Sequence, residues 1–105
     1  MSGDTVWFDG IGEVSRRFRV STALLFMGGA RIPEVEQSTL TLTASEGVAV
    51  ARTLTDAVIV PLHCEGWAHY SESPDEIRKV FADAGFTHRV CWLEPGRRSE
   101  VCNER

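Results

Sequence analysis

The sequence predicts an α/β fold on three observations: short apolar runs alternate with helical patterns, two of the runs are apolar throughout, and two helix starts carry capping boxes. The runs are Thr5 to Phe8, Thr22 to Met27, Ala57 to Leu62 and His88 to Leu93, rich in the β-branched and aromatic residues that suit strands. With helices between them they give about four strands and about three helices in βαβαβαβ order. Ala23-Leu24-Leu25-Phe26-Met27 and Ala57-Val58-Ile59-Val60-Pro61-Leu62 lack a polar face, as expected of central strands covered on both sides.

The first helix is expected around Ile11 to Phe18, where Ile11, Val14 and Phe18 recur at helical spacing and leave Glu13, Arg16 and Arg17 to water. The second opens at Thr43, because Thr43-Ala44-Ser45-Glu46 matches a capping box and Ala44, Val48, Ala51 and Leu54 form a buried stripe. The third has the clearest punctuation: Ser73 as N-cap, Pro74 in the first turn, Glu76 closing a capping box, and Gly85 as terminator. Ile77, Val80, Phe81 and Ala84 supply its apolar face.

At 105 residues with 43% hydrophobic content and a formal charge of -4, the chain has the size and composition of one ordinary globular domain. Its basic residues are scattered, which argues against an electrostatic nucleic-acid or anionic-membrane partner. No apolar run approaches the roughly 20 residues that span a bilayer, and the first residues lack the layout of a signal peptide, so a cytoplasmic location is the default expectation. Three cysteines without a C-x-x-C pair read as free thiols there. Cys91 lies in an apolar stretch as a small core residue, and Cys102 is incidental in a polar tail, residues 97–105.

Two loops are too elaborate for simple connections: Gly28-Gly29-Ala30-Arg31-Ile32-Pro33, and His63-Cys64-Glu65-Gly66-Trp67-Ala68-His69-Tyr70-Ser71. In α/β sheets, sites gather on loops beyond strand ends. His63 follows an apolar strand directly, and neutral imidazole is a ligand for zinc, iron or manganese when an outer acceptor such as Glu65 or a backbone carbonyl fixes its tautomer. Cys64 adjoins it as a nucleophile or a ligand. Asp4 is the natural carboxylate to pair with His63, since Gly3 lets the backbone turn before the first run; standing alone, an Asp in that place is also an ordinary turn residue.

Ser2-Gly3-Asp4-Thr5 before an apolar run, Phe26-Met27-Gly28-Gly29 after a buried strand, Leu42-Thr43-Ala44-Ser45-Glu46 opening a helix, and Pro61-Leu62-His63 closing a strand together resemble the later motifs of the metallo-β-lactamase superfamily, in its lactonase-like, metal-dependent hydrolase branch. The likeness runs from about Ser2 to about Pro95. It implies that residues 1–96 are the C-terminal half of such a domain: half of an αββα sandwich, with a mixed sheet and helices outside. It further implies Asp4 and His63 as metal ligands, a divalent cofactor with zinc ahead of iron or manganese, a substrate cleft bordered by His69, Trp67, Tyr70 and Cys64, and a metal-activated water attacking an ester, lactone or phosphoester.

The chain departs from that pattern in having no His-x-His-x-Asp-His segment, which in the family supplies most of the metal ligands. Two ligands are fewer than the three a catalytic zinc usually takes, so the chain alone is expected to be inactive. His88 reads as structural. A half-domain would also leave one apolar sheet face uncovered, inviting a homodimer or a complementary N-terminal half. The alternative function is a non-catalytic half-domain that self-associates or binds a partner through that face.

Overall fold

The computed structural model describes residues 1–31, 39–64 and 70–101. Three helices surround a two-stranded parallel sheet: α1 (Asp9–Arg17), β1 (Thr22–Phe26), α2 (Ala44–Thr53), β2 (Val58–Leu62) and α3 (Pro74–Asp83), followed by a short 3-10 helix (Thr87–Arg89). The α/β class is as the sequence predicts; a mixed four-stranded sheet is not what forms among the described residues.

The two uninterrupted apolar runs are the strands that pair, in a register from Thr22 opposite Val58 to Phe26 opposite Leu62. Ala23, Leu25, Met27 and Ile59 point to the face covered by α2 and α3, where they join Leu42, Val48, Val50, Ile77 and Phe81 in one core. On the other face Val58 and Val60 are buried while Thr22, Leu24 and Phe26 of β1 and Leu62 of β2 are half-buried.

The outer two runs do not become strands. Residues 5–8 form no strand; instead Ser2 N–H donates to Leu24 O at 2.9 Å, and Ser2 Oγ accepts from Phe26 N–H at 2.9 Å. At the opposite edge, the expected strand from His88 is replaced by the 3-10 helix, after which Val90 makes a single parallel bridge to Ile59 and Cys91 N–H donates to Ile59 O at 2.8 Å.

Arg89 explains the replacement. Its guanidinium is buried and donates to Ala51 O at 2.6 Å, Leu54 O at 2.7 Å and Ala57 O at 2.9 Å. These carbonyls belong to the end of α2 and the turn beyond it, where helix carbonyls lack intrahelical partners and a cation meets the negative end of the dipole. Winding Thr87–Arg89 tightly brings the planar fork to them.

Both capping boxes form as read: Thr43 with Glu46, and Ser73 with Glu76, with Pro74 in the first turn of α3. Helix α1 differs from expectation in its packing. Ile11 touches the core, yet Val14 and Phe18 are 42% and 64% exposed, so two of the three residues of its expected apolar stripe face outward.

Replacing Arg89 with Met should lower unfolding free energy by about 3 kcal/mol, because three carbonyls lose a charged donor. Arg89→Lys should recover only part, since an ammonium cannot reproduce the fork. Urea denaturation measures both; a loss under about 0.5 kcal/mol, the range of ordinary surface substitutions, would contradict the capping role.

Candidate functional site

Parallel pairing carries the ends of β1 and β2 to the same edge of the sheet, and Met27 N–H extends the ladder by donating to Leu62 O at 2.9 Å. Beyond β1 the chain turns through Gly28, at φ 91°. A Cβ there would lie 3.0 Å from both Cys64 Cα and the Tyr70 ring, so only glycine lets the two loops close on each other. Gly28 O accepts from Ser71 and Glu72 N–H at 2.9 and 3.0 Å, and Ala30 bridges antiparallel to Tyr70. Thr41 Oγ1 ties the same turn, donating to Met27 O and accepting from Ala30 N–H, both at 2.9 Å.

The Ser2 hydrogen bonds hold the N-terminal segment against β1, and Gly3, at φ 65°, turns it so that Asp4 meets His63. Asp4 Oδ1 lies 3.8 Å from His63 Nδ1, with the two side chains 65% and 35% exposed. His63 itself has φ 59°, a left-handed conformation that costs a non-glycine residue about 1 kcal/mol and that recurs at functional sites. Its ring is held by neighbours: Phe26 at 4.9 Å between centroids, tilted by 32°, and Tyr70 at 5.4 Å, edge-on at 71°.

The structure therefore brings together Asp4, His63, Tyr70 and Cys64 of the residues singled out from the sequence. Cys64 is buried and part of the core, which removes its thiol from ready contact with solvent. Trp67, His69 and Glu65 lie outside the described residues, as does Cys102. His88 is exposed in the 3-10 helix rather than opening a strand. Among the described residues no group of three or more His, Cys, Asp or Glu side chains converges as a metal cage, and no helix is long and apolar enough to cross a membrane. Phe26, which the sequence marks as a strand residue and as the start of the Phe26-Met27-Gly28-Gly29 motif, flanks His63 from the neighbouring strand, and nothing in its local sequence signals that role.

Tyr70 has a displaced titration. Burial raises its phenol pKa above the ordinary value, and negative charge at Cys64 and Asp4 raises it further, so it is neutral wherever the protein is folded near neutral pH.

No protein-family model matches the sequence, and no curated protein matches it either. Solved structures do share the fold. An isothiocyanate hydrolase from Delia radicum gut bacteria superposes with a TM-score of 0.82 at 20% identity, over 96% of this chain and 38% of that one. A possible metal-dependent hydrolase from Veillonella parvula DSM 2008 superposes with a TM-score of 0.80 at 19% identity, over 89% of this chain and 35% of that one. The chain thus spans less than two fifths of the length of either.

The sequence contains a single tyrosine, so phenolate absorbance reports Tyr70 alone. Its midpoint should lie above that of the urea-denatured chain, near 10. Because the folded pKa is the higher, the stabilisation is complete below about 10 and is lost as pH rises through the folded value. A folded midpoint at or below the denatured one would contradict the placement of Tyr70 beside Asp4 and Cys64.

Proposed function

We propose that this chain is part of a metal-dependent hydrolase of the metallo-β-lactamase kind, and that it contributes Asp4 and His63 to the metal site while further ligands come from sequence outside it. The observation that carries the reading is the meeting of these two side chains, from distant parts of the sequence, at the edge of the parallel sheet. Their 3.8 Å separation is longer than a hydrogen bond but suits two donors on one cation, since zinc takes nitrogen and oxygen ligands at about 2.0–2.2 Å and so allows donor atoms up to about 4 Å apart. Support also comes from the two structural neighbours, both described as hydrolases and one as possibly metal-dependent.

A divalent ion, with zinc the best match to one imidazole and one carboxylate and iron or manganese acceptable, supplies Lewis-acid activation of water and of a carbon or phosphorus electrophile. The chain's own residues prepare for it. Phe26 and Tyr70 limit rotation of the His63 ring, and Ser2 and Gly3 fix the approach of Asp4. Tyr70, kept as a phenol, adds no charge that would compete with the carboxylate. Completion by a second segment is what a two-ligand site requires, and it fits the coverage of the neighbours.

A second reading has its own observation. Met1, Phe8, Val14 and Phe18 are 84%, 56%, 42% and 64% exposed, an apolar strip along the N-terminal segment and α1 that a second copy or a complementary half would cover. In that reading the chain is a non-catalytic half-domain. Sizing chromatography with and without EDTA separates the two: a metal-linked assembly loses stability on chelation, whereas an apolar one is indifferent.

Thermal unfolding supplies the test of the first reading. Zinc should raise the midpoint of the metal-free chain by several degrees, because an ion that binds only the folded state stabilises it. His63→Asn, which tolerates the left-handed backbone and lacks the imidazole, should abolish the shift. An unchanged midpoint in saturating zinc, or an equal shift in His63→Asn, would sink the metal-site reading.

A further inference from the structure

We infer that Glu46 is a positioning residue for Asp4: its carboxylate ties the segment that carries Asp4 to the start of α2 and so holds that side chain beside His63. The consequence for a metal rests on the hydrolase reading, whereas the tie itself belongs to the metal-free chain. Both capping boxes place a glutamate in the first turn of a helix, but they use it differently. In α3, Glu76 Oε1 accepts from the Ser73 N–H at 3.3 Å and from the Ser73 hydroxyl at 3.1 Å, both partners within the box. In α2, Glu46 divides its oxygens: Oε1 accepts from Thr43 N–H at 3.0 Å, and Oε2 accepts from Trp7 N–H at 2.9 Å, 39 residues earlier in the chain. Capping needs only the first of these bonds.

The second bond matters because of where Trp7 stands. Ser2 is fastened to β1 ahead of Asp4, through Leu24 O and Phe26 N–H, and Trp7 is fastened to α2 just beyond it. A stretch held at both ends has far fewer conformations than one held at a single end. Asp4 depends on that restriction, since its side chain is 65% exposed at 3.8 Å from His63 and has little burial of its own to keep it in place. A carboxylate suits the task. The first turn of a helix favours negative charge, and a bond from an N–H to a charged oxygen is stronger than one to a neutral acceptor. Groups that orient metal ligands from outside, without touching the ion, in turn set how well those ligands bind.

The test compares Glu46→Ala with Thr43→Ala in the isotopically labelled chain. Both changes break the same capping box, but only the first removes the bond to Trp7. Glu46 is half-buried and alanine is the best helix former, so the helix persists. Without metal, the Trp7 amide should exchange with solvent about fivefold or more faster in Glu46→Ala, the factor that one ordinary hydrogen bond represents. The His63 ring signals should move toward those of Asp4→Ala. Thr43→Ala should leave both readouts as in the wild type. With zinc, Glu46→Ala should weaken binding by about threefold or more, a smaller loss than the roughly tenfold that follows removal of a group bonded directly to a ligand; Thr43→Ala should bind as the wild type does. Unchanged Trp7 exchange or an unmoved His63 ring in Glu46→Ala, or an equal loss of zinc affinity in Thr43→Ala, would overturn the inference. Failure of the wild type to bind zinc sinks the hydrolase reading instead, and the two metal-free readouts still decide the role of Glu46.

Discussion

The parallel pairing of β1 with β2 is the constraint from which the rest of the molecule follows. Five residue pairs in register, Thr22–Val58 to Phe26–Leu62, leave both strands ending at one edge, so the loops that follow must share the same space. The core settles on one face of this pair, with Gly47 of α2 packed so closely on Met27 and Phe81 that an added Cβ would require the end of the Met27 side chain to shift. The ends are then fastened by other contacts: Ser2 to β1, Cys91 to β2, and Arg89 to the last carbonyls of α2.

The same constraint builds the site. A strand pair slipped by one residue would put Phe26 opposite a different neighbour and reverse the faces of its side chains, taking it away from His63. In the observed register Phe26 and Tyr70 flank the imidazole, Gly28 admits the Tyr70 ring, and Asp4 reaches over from the segment that Ser2 anchors. His63 thus keeps an uncommon backbone conformation because contacts from several elements determine it at once.

What the sequence made legible is what is local. The capping boxes at Thr43 and Ser73 specify two helices through residues three apart, and Gly85, at φ 80°, ends the second as its position implies. The two apolar runs declare themselves as central strands because no polar face is present to suggest otherwise. The outer runs misled because composition favours extended backbone without saying what will pair with it. The N-terminal segment meets β1 through Ser2 rather than through residues 5–8, and His88 and Arg89 wind up because the guanidinium has carbonyls to reach on a helix more than thirty residues earlier. Such distant partners leave no local mark. The resemblance of the flanking motifs pairs Asp4 with His63, and the two side chains do lie 3.8 Å apart, whereas the contact from Phe26 depends on the register and is legible only once the strands are paired.

In the proposed function Asp4 and His63 act as a unit on one metal ion, and a double-mutant cycle of zinc affinity tests that pairing. Calorimetric titration of the wild type, Asp4→Asn, His63→Asn and the double variant gives the coupling between the two positions. Strong non-additivity is expected: each single change should weaken binding by about tenfold or more, ~1.4 kcal/mol, and the second should add little once the first has broken the pair. Additive losses, or affinity unaffected by either change, would contradict it.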